Sequence, residues 1–223
     1  EMRDKILESI DQEELINLAV DSVKINTVNP PGNERELAEL WANKMEELGM
    51  EVEVNPIEDG RANVVGVLKG SGEAGALLYN GHLDTVPPGE VEWEFGPFSG
   101  AITEGKIYGR GASDMKSGVA AMIMAAGALK RAGVQLPGDL IIAGTAGEEV
   151  DSLGAQQLLE NRVIEDVEAI VIAEPSSNQI FVAEKGALWL EFTTLGKTAH
   201  GSMPDEGLNA ILAMTELIEK LVD

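Results

Sequence analysis

The chain has 223 residues, 44% of them hydrophobic, enough for one or two domains with a sizeable buried core. It contains no cysteine, which excludes disulfide scaffolds, cysteine zinc sites and thiol nucleophiles. Lys and Arg number 16 against 39 Asp and Glu, a formal charge of −23, and aromatics make up only 4%; a nucleic-acid partner, which needs a basic face and stacking platforms, is excluded.

Asp11 and Glu14 stand at capping-box spacing ahead of the periodic Leu15, Leu18, Ala19 and Val23, which predicts a helix. Asn33 and Glu36 open a second, with Leu37, Leu40, Trp41, Met45 and Leu48 on one face and Gly49 as its stop. The acidic faces of Glu34–Glu47 and Glu216–Glu219 are read as solvated. Glu51–Val54 and Asn63–Leu68 are β-like, and Gly75–Asn80 reads as a strand covered on both faces. Val119–Lys130 is a buried helix rich in Ala and Met. Its apolar run, Val119–Leu129, is far short of the ~18 residues of a membrane span. Leu140–Thr145 and Ala169–Ala173 are two further buried strands. Strands alternating with helices predict an α/β fold, a mostly parallel sheet with helices on both faces. Near Gln179 the composition changes: residues 180–183 and 187–194 read as strands around Lys185-Gly186, and a helix follows from Glu206 to Val222. The expected domains are therefore 1–178 and the start of a second, α+β domain at 179–223. No secretory signal is recognised, and a cytoplasmic location without a membrane partner is expected.

Three buried strands run into polar groups: Gly75–Asn80 into His82 and Asp84, Leu140–Thr145 into Glu148 and Glu149, and Ala169–Ala173 into Glu174. Ligands of open α/β sheets bind outside the carboxyl ends of the strands. Asp114 joins this set from a glycine-rich loop before the Val119 helix. So much negative charge in one crevice needs a cation, and one imidazole among carboxylates suits zinc, with manganese or cobalt as alternatives. Asp84, two residues from His82, is placed to hold the imidazole's other N–H. Of the adjacent Glu148 and Glu149, one can bind metal while the other acts as general base. Each motif alone has a plainer reading: a capped turn at His82-x-Asp84, a solvated Glu-Glu pair, Asp114 as a helix N-cap, Glu174 as a strand end. Their order along the chain, at the ends of separate strands, favours the metal site. Competing motifs fail: Asp114 breaks the dinucleotide fingerprint begun by Gly109-Arg110-Gly111, Met115 breaks the P-loop echo at Lys116-Ser117, and no G-x-S-x-G occurs.

The segments Gly81–Pro87, Trp93 with Gly96-Pro97-Phe98, GKIYGRGASDMKSG (105–118), TAGEE (145–149), Ala173–Ser176 and GKTAHGSMPDEGLNAI (196–211) resemble, in order, the M20 metallopeptidase and amidohydrolase family. This group includes acetylornithine deacetylase, succinyl-diaminopimelate desuccinylase, aminoacylase and glutamate carboxypeptidase. The resemblance implies a two-metal hydrolase of a small N-acyl amino acid or peptide, with two Zn2+ (Co2+ or Mn2+ possible) per complete subunit. It implies that His82, Asp114 and Glu174 hold one metal, that Asp114 and Glu149 hold the second, that Asp84 orients His82, and that Glu148 is the general base and acid. His200 is implied to reach the substrate carbonyl from a lid domain that also makes the homodimer. Residues 1–178 then correspond to the catalytic domain and 179–223 to part of the lid. The family has Gly where Ser117 stands, and its second metal takes a histidine from further along the chain. Only His82 and His200 occur here, so the alternative expectation is an inactive fragment that keeps at most one metal.

Overall fold

The computed structural model describes residues 1–186 and 188–222, and the chain divides into two compact units, Glu1–Ile180 and Phe181–Asp223. The first unit runs α1 (Met2–Glu8), α2 (Gln12–Lys24), α3 (Arg35–Glu47), β1 (Glu51–Glu58), β2 (Arg61–Leu68), β3 (Ala76–His82), β4 (Ala101–Thr103), β5 (Lys106–Tyr108), α4 (Ser117–Arg131), β6 (Leu140–Thr145), α5 (Leu153–Glu160) and β7 (Val167–Ile172). Asp11 caps α2, its carboxylate accepting from the Glu14 amide at 3.0 Å. Gly49, at φ +78°, follows the end of α3 as expected. The start of α3 differs: Glu34 rather than Asn33 holds the cap position, and the Arg35 amide donates to the Gly60 carbonyl at 3.0 Å. Helices α1 and α5 and the β4–β5 hairpin are additional to the elements expected from the sequence.

The sheet order is β1-β2-β6-β3-β7. The β1–β2 and β2–β6 pairs are antiparallel, while β6–β3 and β3–β7 are parallel. Four strands therefore share one direction and β2 opposes them. The cause is local: Asp59-Gly60, with Gly60 at φ +75°, joins β1 to β2 directly, which allows only a hairpin.

Successive strand residues face opposite sides. Val64, Leu140 and Ile142 join the core under α2, α3 and α4, where Leu37, Trp41, Met45 and Ile123 are fully buried. Val65, Ile141 and Ala143 face the other way and pack with Leu158 of α5. Helices thus cover both faces, as the alternation predicted. Trp41 occupies the centre of the first core and its Nε1 donates to Ser22 Oγ at 2.8 Å. Gly144 makes room for it, because a Cβ there would lie 3.0 Å from the indole ring.

In the second unit, a helix α6 (Ala210–Val222) follows a short 3-10 turn at Pro204–Glu206. The expected start at Glu206 moves to Ala210. Leu208 instead pairs with Lys197 through reciprocal backbone hydrogen bonds of 2.9 and 3.0 Å, and the Asn209 side chain accepts from the Ile211 amide at 2.9 Å. The strands expected at 180–183 and 187–194 do not form among the described residues; Ala187 lies outside them. The β-like composition is present, but a strand needs a hydrogen-bonding neighbour, and no ladder forms here among the described residues. Phe181, Val182, Trp189 and Leu190 are consequently exposed.

Candidate metal centre

Because β3, β6 and β7 are parallel neighbours, their carboxyl ends lie along one edge of the sheet: His82 stands in register with Thr145, and Asn80 with Ile172. Two glycines allow α4 and the loop before it to close on that edge. A Cβ on Gly81 would lie 2.4 Å from Val119 Cγ2 and 2.8 Å from Met115 Cε. A Cβ on Gly118 would lie 2.3 Å from the Ala173 carbonyl. The glycine-rich loop ends in a π-type turn at Ala112–Lys116, where Asp114 and Met115 leave helical backbone geometry. Asp114 is therefore not the helix cap; the cap position belongs to Lys116.

His82 is 2% exposed. Its Nδ1 lies 2.9 Å from the carbonyl oxygen of Asp84, an acceptor that fixes the proton on Nδ1 and leaves Nε2 as the nitrogen that could hold a metal. From Nε2 it is 3.1 Å to Asp114 Oδ1 and 3.6 Å to Glu174 Oε1. Glu148 Oε2 lies 4.0 Å away. His82, Asp114 and Glu149 each place a ligand atom within 4.8 Å of the other two. The five residues expected from the strand ends and the Asp114 loop are thus gathered around one imidazole.

Asp84 acts differently from expectation. Its carboxylate is 3.6 Å from His82 Nδ1, beyond hydrogen-bond reach, and it is the main-chain carbonyl that holds the ring. The carboxylate instead accepts the amides of Gly147 and Glu148 at 3.0 Å each and of Glu149 at 3.2 Å, together with Asn29 Nδ2 at 3.0 Å. Burial works against its charge, but His82, Asn29 and the Glu149 amide overcome it and hold the Asp84 carboxyl below the usual range. One residue thus orients the imidazole and shapes the loop that carries both glutamates. Asn29 was not singled out in the sequence; it lies 55 residues from Asp84.

The electrostatics show a group that is crowded without a cation. Burial and the negative neighbours Asp114 and Glu148 push Glu174 up to about 7, against the pull of His82. Glu149 is raised, chiefly by burial. Burial disfavours a charged His82, yet Asp84, Glu174 and Glu148 outweigh it and lift the imidazole to about 9. One imidazole and a ring of mutually repelling carboxylates form a donor set that fits a divalent cation, which would keep the carboxylates ionised and the imidazole neutral.

Lys116, in the abandoned P-loop echo, is wholly buried, and burial pushes its ammonium down to about 7. Its Nζ donates to the carbonyls of Ser22 at 3.0 Å and Ile25 at 2.7 Å, at the C-terminal end of α2 where a cation is favoured. His200 belongs to the second unit, where Nδ1 lies 2.9 Å from Ser202 Oγ.

A family model described as peptidase family M20/M25/M40 matches residues 78–219. A probable succinyl-diaminopimelate desuccinylase of Staphylococcus epidermidis is 35% identical over 213 residues, covering 95% of this chain and 52% of that protein. An acetylornithine deacetylase of Proteus mirabilis is 37% identical over 206 residues, covering 92% and 52%. The crystal structure of a tripeptidase from Staphylococcus aureus shares the fold, with a TM-score of 0.66 at 22% identity over 94% of this chain and 56% of that one. The chain spans about half the length of the curated relatives it matches.

Proposed function

The chain belongs to peptidase family M20/M25/M40, and on that premise we propose that it carries the metal-binding part of a hydrolase that cleaves the amide of a small N-acyl amino acid or peptide. The observation that carries this reading is the gathering of Asp114, Glu149 and Glu174 around His82 Nε2, with Glu148 beside them. The names of the two relatives favour a succinyl or acetyl amide as the bond cleaved.

In the complete protein two divalent cations are proposed, zinc or else cobalt or manganese. His82, Asp114 and Glu174 would hold the first, and Asp114 and Glu149, with a histidine from outside these residues, the second. When bound, the cations supply Lewis acidity and lower the pKa of water. Glu148 is 55% exposed, open to both water and substrate. It takes the proton from the attacking water as the oxygen adds to the carbonyl carbon, then returns it to the amine nitrogen as the C–N bond breaks. His200, its Nδ1 engaged by Ser202, would donate to the carbonyl oxygen as charge develops there. Residues 1–178 are read as the catalytic domain and 179–223 as the beginning of a lid through which the protein dimerises; a cytoplasmic location fits the cysteine-free, acidic composition. For the 223-residue chain by itself the same ligand inventory gives one tight cation and little turnover.

The test is hydrolysis of N-succinyl and N-acetyl amino acids and of dipeptides by the complete gene product, before and after chelation and zinc return. Glu148→Gln should retain metal and lose about 10²–10⁴-fold in kcat, whereas Glu149→Gln should lose metal. Hydrolysis indifferent to chelation, or equal metal loss in both variants, would overturn the assignment.

A further inference from the structure

The loop that bears Glu148 and Glu149 is held from two sides, and the side away from His82 carries no ligand. Arg61, on β2, is 5% exposed and its partner Glu34 is wholly buried. The guanidinium meets Glu34 through Nε at 3.1 Å and Nη2 at 2.9 Å. Glu34, expected on a solvated helix face, is thus a buried counter-charge at the start of α3. The remaining arm, Nη1, reaches across 90 residues to Asp151 Oδ2 at 3.1 Å.

Asp151 closes the loop that begins at Gly147. Its amide donates to the Gly147 carbonyl at 3.0 Å, and so does the Ser152 amide at 2.6 Å; its Oδ1 accepts from Leu153 at 3.2 Å. Gly147, at φ +83°, packs so closely that a Cβ would lie 2.2 Å from Asp151 Oδ1 and 2.7 Å from Arg61 Nη2. On the opposite side the Gly147, Glu148 and Glu149 amides are bound to Asp84. The two glutamates are therefore carried on a short span anchored by Asp84 on one side and by Arg61 through Asp151 on the other.

We infer that Asp151, held by Arg61, is a positioning residue for the Glu148–Glu149 loop: it fixes Glu149 against His82 and Asp114 without touching the metal or substrate. The inference rests on the proposed metal-binding function for its ligand readout only. Removing Arg61 would leave Glu34 buried and unpaired, which is strongly destabilising. Asp151 is the better probe, because it is 34% exposed and its loss leaves the Arg61–Glu34 pair intact.

Two measurements on the 223-residue chain decide it. In hydrogen exchange followed by mass spectrometry, Asp151→Ala should lose protection at the Gly147–Glu149 amides while the β3 and β6 amides keep theirs. In titration with Co2+, followed by its visible absorption, the same variant should bind about tenfold more weakly, as when the residues that orient a ligand are removed. Asp151→Asn keeps one of the two oxygens that Arg61 and Leu153 use, so it should recover part of both. Unchanged loop exchange, or loss of protection spread evenly over the sheet, would overturn the inference. A parent chain that binds no Co2+ would overturn the metal reading instead, and the exchange result would still decide whether Asp151 holds the loop.

Discussion

Trp41 and Trp189 are the same residue placed in the two units, and they end in opposite surroundings: 0% exposed in one case, 93% in the other. Both lie among apolar residues. Trp41 has Ser22 to accept its N–H, Gly144 to admit its ring, and a sheet beneath it. Trp189 lies in a stretch with the composition of a strand and no ladder among the described residues. The difference teaches that a hydrophobic pattern states what a segment can bury, while a neighbouring backbone decides whether it does.

The sharpest way to break this comparison is to delete both indoles in the 223-residue chain. Trp41→Ala should cost about 3–5 kcal/mol in urea unfolding, and Trp189→Ala should stay within about 0.5 kcal/mol. A comparable loss in both would mean that the second unit has a core of its own. Next in size is the response to zinc. At a hundredfold excess over Kd, zinc should raise the unfolding free energy by about 2.7 kcal/mol, with one equivalent bound by calorimetry. His82→Ala and Asp114→Ala should abolish this gain, and His200→Ala should leave it intact; two tight equivalents would show a ligand set unlike the one assigned.

A smaller effect follows from pH. The proposed metal binding needs His82 neutral and Glu174 ionised, whereas without metal these groups sit at about 9 and about 7. Protons must therefore leave as zinc enters, and affinity should rise about tenfold per pH unit for each proton displaced, up to about pH 9. Calorimetry in buffers of different ionisation enthalpy should show that release; none at pH 7 would contradict a protonated His82. The smallest contrast lies in the caps. Asp11→Ala at α2 should cost about 1 kcal/mol of global stability, but Asn209→Ala should show only as reduced helical circular dichroism from α6.

Much of this was legible in the sequence because it is local. β6 falls on the residues expected, Leu140–Thr145, since a short apolar run between turns has few other uses. The gathering of His82, Glu148, Glu149 and Glu174 with Asp114 was legible from their order, four at strand ends and Asp114 in the loop before α4; which glutamate would hold metal came only from the family resemblance. What escaped is tertiary. Nothing near Glu34 announces Arg61, 27 residues away, so its burial could not be read from an acidic helix face. The two jobs of Asp84 were merged into one, because spacing cannot distinguish a carbonyl from a carboxylate on the same residue. The reversal of β2 is the exception: Asp59-Gly60, with Gly60 at φ +75°, is a local hairpin signal.

The grip of Asp84 on three successive amides has a consequence for redesign. Since Asp84 grips this loop through the amides of residues 147, 148 and 149, the side chains at 148 and 149 are not part of that grip. Glutamine, aspartate or histidine at either position would leave these three hydrogen bonds in place, so metal preference and proton transfer are open to separate alteration. Proline is the clear exception, because it would remove one of the N–H groups by which the loop is fastened.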